Sequence, residues 1–187
     1  DQLKEDIQEI ELLITDLIEA ERLNEEHAVL NAESTPIAAF VEGVCEQFES
    51  YPGGVELELP TQDREIVMDN LRVRLLITNL VNNAIRHGEG NPIVVRVSFN
   101  GDFTHLEVED NGEGIAEEHL SQISEPFYRA DSSRQRNTGG FGLGLYLCRL
   151  IVKAHGGELI IQSQFGEGTK IKVKLPPHPP LEEPMDK

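Results

Sequence analysis

Strict two-residue alternation, broken up by stretches of helical periodicity, restricts the fold of this chain more than any other feature. Ile93, Val95, Val97 and Phe99 alternate with Val94, Arg96 and Ser98, while Ile171, Val173 and Leu175 alternate with Lys170, Lys172 and Lys174. Successive side chains on a strand point to opposite faces, so each segment has one face to bury and one to leave wet. Such a sheet needs a layer of helices on its dry side. The chain interleaves them: Val73, Leu76, Ile77, Leu80 and Ala84 form one stripe of a helix over 70–88, and an apolar helix over 142–155 stops at Gly156-Gly157. Strands are also expected at 55–59, 65–68, 104–109 and 158–163, the third reached through an Asn100-Gly101-Asp102 hairpin turn. Ser34-Thr35-Pro36 announces a helix running to about residue 48, and a short helix is expected over 117–123. The expected fold is a two-layer α/β sandwich: a mixed sheet of about five strands, three helices on one face, and an extra N-terminal helix.

That N-terminal helix, over 1–24, carries Leu3, Ile7, Ile10, Ile14 and Leu17 at heptad spacing, with Leu12, Leu13 and Ile18 widening the seam. A helix this apolar must pack on something. A helical bundle with a partner chain is favoured over a helix lying on its own domain. Residues 25–35 read as a linker, 36–175 as one domain, and the proline-rich, acidic 176–187 as a disordered tail. No apolar run approaches the roughly 20 residues of a membrane span, and the start lacks the pattern of a signal peptide. A net charge of −18 argues against a nucleic-acid surface. It leaves nucleotides open, because a glycine-rich loop binds phosphate through backbone N–H groups and Mg²⁺. Cys45 and Cys148 lie far apart in helical stretches and read as two buried free thiols.

Four motifs carry chemistry. At about 100° per residue, Asn79, Asn83, Arg86 and His87 share an arc of the 70–88 helix beside its core stripe. An asparagine oxygen is a hard ligand suited to Mg²⁺, which keeps several waters and bridges phosphates. Asp110-Asn111-Gly112-Glu113-Gly114-Ile115 follows a strand. Its carboxylate can accept from an exocyclic amine, and its glycines let backbone approach a flat ring. Thr138-Gly139-Gly140-Phe141-Gly142-Leu143-Gly144-Leu145 opens a helix, where free N–H groups and the dipole attract anions. Gly166-Glu167-Gly168-Thr169 is a tight turn before the last strand. Taken singly, the first, second and fourth read as a solvated face, a plain turn and a hairpin, and the glycine string also has a structural reading. Their order, with Glu125-Pro126-Phe127-Tyr128 between the second and third, is the specific signal.

In that order the chain resembles, over about residues 36–175, the catalytic and ATP-binding domain of bacterial two-component sensor histidine kinases. That domain belongs to the superfamily shared with gyrase, a class of heat-shock chaperones and MutL-type ATPases. The resemblance implies ATP as ligand, ADP as product, and Mg²⁺ held by Asn83. It places Asp110 on the adenine, with Gly112, Gly114, Ile115 and Thr169 around the base, and Asn79, Arg86 and His87 on the phosphate side. Gly140, Phe141, Gly142, Leu143, Gly144 and Leu145 would form the phosphate-gripping lid, hinged at Phe127 and Tyr128. Phe141 departs from the pattern, since many relatives carry a small or hydroxyl residue there. Residues 1–24 resemble the second helix of the family's dimerisation and phosphoacceptor hairpin.

Hydrolytic relatives carry a glutamate base one turn before the metal asparagine. Here that position is Asn79, and no carboxylate occupies residues 75–83. The implied reaction is therefore γ-phosphoryl transfer to a histidine, for relay to a response-regulator receiver domain. The alternative is a nucleotide-binding interaction module without transfer. None of His27, His87, His105, His119, His155 and His178 has the surroundings of the family's acceptor, so the expected acceptor lies outside the chain, on an N-terminal portion with the sensor. The resemblance also implies a homodimeric full-length protein anchored in the bacterial inner membrane, with this domain in the cytoplasm. Whether residues 1–187 alone form a monomer or a dimer stays open.

Overall fold

A computed structural model describes residues 2–24, 29–129 and 141–180. In chain order the elements are α1 (Gln2–Asn24), β1 (Ala32–Pro36), α2 (Ile37–Cys45), a 3₁₀ turn (Glu46–Phe48), β2 (Val55–Glu58), β3 (Glu65–Asp69) and α3 (Asn70–His87). There follow β4 (Ile93–Asn100), β5 (Phe103–Asp110), α4 (Glu117–Leu120), α5 (Gly144–Ala154), β6 (Glu158–Gln164) and β7 (Gly168–Leu175).

Five strands form one sheet of order β2-β4-β5-β7-β6. Only the β2–β4 pair is parallel; β4–β5, β5–β7 and β6–β7 are antiparallel, so the sheet is mixed. The alternation fixes which face is dry. Ile93, Val95, Val97, Leu106, Val108, Ile171, Val173 and Leu175 are all buried and join one cluster with Val41 and Val44 of α2, Leu76 and Leu80 of α3, and Leu147 and Ile151 of α5. On the opposite face Arg96, Glu58, Glu109 and Lys170 pair with one another. Arg96 donates to Glu58 at 2.5 Å and to Glu109, and Lys170 lies 3.1 Å from Glu109. Burial alone would push the Glu109 carboxyl up, but donation from Arg96 and Lys170 holds it below its usual value.

The start of α3 and the end of α5 meet at one buried node. Asp69, the N-cap of α3, accepts from the Arg72 amide at 3.1 Å. Its own amide donates to His155 Nε2 at 3.1 Å, while His155 Nδ1 is 2.8 Å from the Ile151 carbonyl. Cys45 and Cys148 are buried free thiols, and burial pushes Cys45 up to about 11.

Three expectations need correction. The sequence places residues 32–36 in the linker and at a helix start, yet they form β1, which pairs antiparallel with β3 in a separate two-stranded sheet. Only Thr35 of β1 is buried, so backbone pairing alone makes the strand and leaves no alternation to read. Thr35 Oγ1 bonds Asn70 Oδ1 at 2.8 Å rather than capping α2. The cap comes from Asp63, whose two carboxylate oxygens accept from the amides of Ala38 (2.8 Å) and Ala39 (2.9 Å). Part of the expected tail is also structured. The Val67 amide donates to the Pro177 carbonyl at 2.8 Å, and the Pro180 ring lies 2.8 Å from where a side chain at Gly156 would sit. Residues 181–187 lie outside the described residues.

α1 has two apolar aspects. Ala20 and Leu23 are buried and join the core cluster. Asn24 Nδ2 donates to Tyr146 Oη at 2.8 Å, and Glu19 lies 3.6 Å from Arg72. One aspect therefore lies on its own domain, the reading that was less favoured. Asp16, half-buried on the same helix, is pushed up to about 6 by that burial. The other aspect, with Ile7, Ile10, Ile14, Leu17 and Ile18, remains about half exposed.

Candidate functional site

The end of β5, the end of α3 and the β6–β7 turn converge because β5 is central and β7 is its neighbour. Asp110 is the last residue of β5 and stands opposite Thr169 in register. It is only 4% exposed. Burial pushes its carboxyl up, against the pull of the Gly112 and Thr169 amides and the nearby His87. The Gly112 bond to Asp110 Oδ1 is 3.0 Å. No cation pairs with it at ion-pair distance among the described residues, so a buried acceptor faces the groove lined in part by Ser163, Gly168 and Thr169.

The glycines after Asp110 are required by close approach. A side chain at Gly112 would begin 1.8 Å from the His87 carbonyl oxygen, and one at Gly114 would begin 2.1 Å from that of Gln164. Gly114 also has φ +68°, which favours glycine. The loop is thus wedged between the end of α3 and the β6–β7 hairpin. His87 Nδ1 lies 3.0 Å from Glu113 Oε1, the Glu113 amide donates to the His87 carbonyl at 3.3 Å, and the Ile115 amide donates to Ser163 Oγ at 2.8 Å.

Along α3, Asn79 and Asn83 are half-buried and Arg86 is exposed. Asn79 Nδ2 is buried without a hydrogen-bond partner. Its Cγ and Oδ1 lie 3.8 Å from where a side chain at Gly144 would start, so α3 presents this amide to the first residue of α5. The N-cap of α5, Leu143, offers no side-chain acceptor, so among the described residues the helix start is uncapped by a side chain. Leu143 is buried, Gly144 and Leu145 are half-buried, and Phe141 is 40% exposed. The Phe127 amide donates to the Gly142 carbonyl at 3.1 Å, which ties the two flanks of residues 130–140 together. Tyr128 Oη lies 2.7 Å from His119 Nδ1, an anchor for the hinge that the sequence did not single out. Gly140 lies outside the described residues.

The structure therefore brings Asp110, Gly112, Gly114, Ile115, Thr169 and His87 into one cluster, and along α3 it sets Asn79 against Gly144 of α5. Sequence reasoning did not single out Ser163, Glu113 or His119, which the fold sets against Thr169, His87 and Tyr128 respectively. Ser163 ends a strand like any polar residue, and only the fold puts it against both the Ile115 amide and Thr169.

A two-layer sandwich with a buried carboxylate at a strand end, a wedged glycine loop and an uncapped helix start beside an amide-bearing helix defines a class: nucleotide-binding α/β domains. Within it, the chain belongs to the family described as histidine kinase-, DNA gyrase B- and HSP90-like ATPase, whose sequence profile matches residues 68–179. Sensor protein SrrB of Staphylococcus aureus (strain MRSA252) is 33% identical over 168 residues, 88% of this chain and 29% of that relative. The chain thus spans under a third of the length of this curated relative. Among solved structures, the Acinetobacter baumannii histidine kinase AdeS is similar with TM-score 0.77 at 24% identity, covering 94% of this chain and 82% of that one. Full-length ShkA in complex with AMPPNP is similar with TM-score 0.78 at 23% identity, covering 98% of this chain and 39% of that one. No described helix is long and apolar enough to cross a membrane.

Proposed function

We propose that the chain is the catalytic domain of a sensor histidine kinase, binding Mg-ATP and passing the γ-phosphoryl group to a histidine on another segment. The observation that carries this is the buried Asp110 at the end of β5, an acceptor suited to the adenine amine, with the start of α5 available for the phosphates. ShkA, with AMPPNP bound, has the same fold.

Mg²⁺ is implied by the family, and the donor set fits it. Asn83 offers one neutral amide oxygen, suited to a cation that keeps most of its waters, and Asn79 one turn earlier holds an unsatisfied buried amide on the same side. Bound there, the ion would neutralise charge on the phosphate oxygens. Asn79 Nδ2, a donor without a partner among the described residues, would donate to a phosphate oxygen. The N–H groups of Gly144 and Leu145 would hold the same group at the start of α5, and Arg86 and His87 would line the phosphate side. Asn79 cannot take a proton from water, which favours transfer to an imidazole over hydrolysis. The protein contribution is then positioning and charge compensation, with no covalent intermediate on the chain.

Residues 1–24 are assigned to the second helix of a dimerisation and phosphoacceptor hairpin, residues 25–35 to the connection and 36–175 to the catalytic domain. The outer stripe of α1 is offered to a second copy. The relayed phosphoryl group would pass to a receiver-domain aspartate, from a protein anchored in the inner membrane.

One experiment tests the core of this. Calorimetric titration with Mg-ATP should show binding that Asp110→Asn weakens by about 1–3 kcal/mol, one buried hydrogen bond to a charged group. Addition of γ-labelled ATP with a histidine-bearing hairpin should move label to the hairpin. Unchanged affinity in the variant overturns the base assignment, and label that stays on ATP or appears only as free phosphate overturns the kinase assignment.

A further inference from the structure

Ser163 stands opposite Thr169 in the β6–β7 register, half-buried beside the site. Its Oγ lies 2.7 Å from the Gly168 carbonyl oxygen, 2.8 Å from the Ile115 amide nitrogen and 2.9 Å from Thr169 Oγ1. A serine hydroxyl has one proton and two lone pairs. A carbonyl oxygen can only accept, so the Gly168 contact takes the serine proton. An amide N–H can only donate, so Ile115 takes one lone pair. The remaining lone pair leaves the Thr169 contact with one polarity: Thr169 donates. With its proton committed to Ser163, Thr169 Oγ1 can meet anything else only through its own lone pairs. Its neighbour across the β5–β7 register is Asp110, whose ionised carboxylate is also an acceptor.

We propose that Ser163 is a positioning residue for base selectivity, holding the Thr169 hydroxyl so that the Asp110–Thr169 pair presents acceptors alone. The inference rests on the adenine assignment and deepens it. A 6-amino purine brings two N–H donors on one nitrogen, matching two acceptors. A 6-oxo purine brings a carbonyl oxygen, which would face unpaired lone pairs, and a desolvated mismatch of this kind is costly. Without the serine, the Thr169 hydroxyl can turn and donate, and the second acceptor no longer excludes the oxo base.

The same serine also fixes the Ile115 amide, so overall affinity cannot separate an orienting role from a supporting one. Base selectivity can. The affinities of wild type, Ser163→Ala and Ser163→Thr for Mg-ATP and for the magnesium salt of inosine triphosphate should be measured by calorimetry. Wild type should prefer ATP. Ser163→Ala should narrow that preference about tenfold, the worth of one hydrogen-bond polarity, and Ser163→Thr should restore it. If Ser163→Ala weakens both nucleotides by the same factor, the orienting role is overturned and the adenine assignment stands. If wild type holds both equally, the adenine assignment itself is overturned, and the inference with it. Should Ser163→Ala not fold, Thr169→Val removes the second acceptor directly and should narrow the preference likewise; an unchanged ratio overturns the proposal.

Discussion

His155 is held by two backbone groups that demand a neutral ring, one accepting its Nδ1 proton and one donating to Nε2. Burial holds its pKa below the ordinary 6.5. The sign of the consequence follows. Above about pH 6.5 the ring is neutral in both folded and unfolded chains, and its contribution is complete. As pH falls below 6.5 the unfolded chain takes up the proton first, so stability drops until the folded pKa is reached and then levels off. Unfolding free energies from urea denaturation between pH 7.5 and 5 should fall more steeply for wild type than for His155→Gln, by up to about 1.4 kcal/mol per pH unit for one proton. The comparison with the variant matters because Asp16, pushed up to about 6, titrates in the same window with the opposite sign. Parallel slopes for the two proteins would remove His155 as the source. Nothing around His155 in sequence foretold this role, since its partners are 4 and 86 residues away. Asp110, by contrast, was legible, because a carboxylate directly after an alternating strand and before two close glycines has few structural uses.

Helix α2 shows why elements differ in legibility. Pro36 occupies its N-cap and offers no side-chain acceptor. Asp63 supplies both oxygens from a loop 25 residues away, and although burial acts in the other direction, the amides of Ala38, Ala39 and Arg64 hold its carboxyl below the usual range. Asp63→Ala should cost about 1–2 kcal/mol in urea denaturation, as loss of an N-cap does, with Asp63→Asn recovering part of it. A cost near zero would mean that water satisfies the two amides equally well. Strands β4 and β7 were readable because each buries every second side chain. β1 was not, since it contributes backbone pairing and one buried residue. The phosphate end of the site was readable as a glycine string opening a helix, but the clamp of Phe127 on Gly142 depends on the chain returning to itself, which spacing does not encode.

For the whole molecule, the decisive asymmetry is that α1 uses one apolar aspect on its own domain and leaves the other uncovered. A stripe of Ile7, Ile10, Ile14 and Leu17 at heptad spacing suits a second α1. The chain should associate with rising concentration in sedimentation experiments. Added salt should strengthen the association, because a net charge of −18 on each copy opposes it. Ile10→Asp combined with Ile14→Asp should abolish association and leave Mg-ATP affinity unchanged, since both side chains lie on the exposed aspect of α1. A wild-type chain that stays monomeric at all concentrations and salts would refute this use of the stripe.

The return of the C-terminal residues to β3 has a practical consequence. The Val67 amide donates to the Pro177 carbonyl, and the Pro180 ring lies against Gly156. A fluorescent reporter or affinity tag joined at residue 176 would strip both contacts from the edge of the small sheet, whereas a junction placed after Pro180 leaves the seam closed.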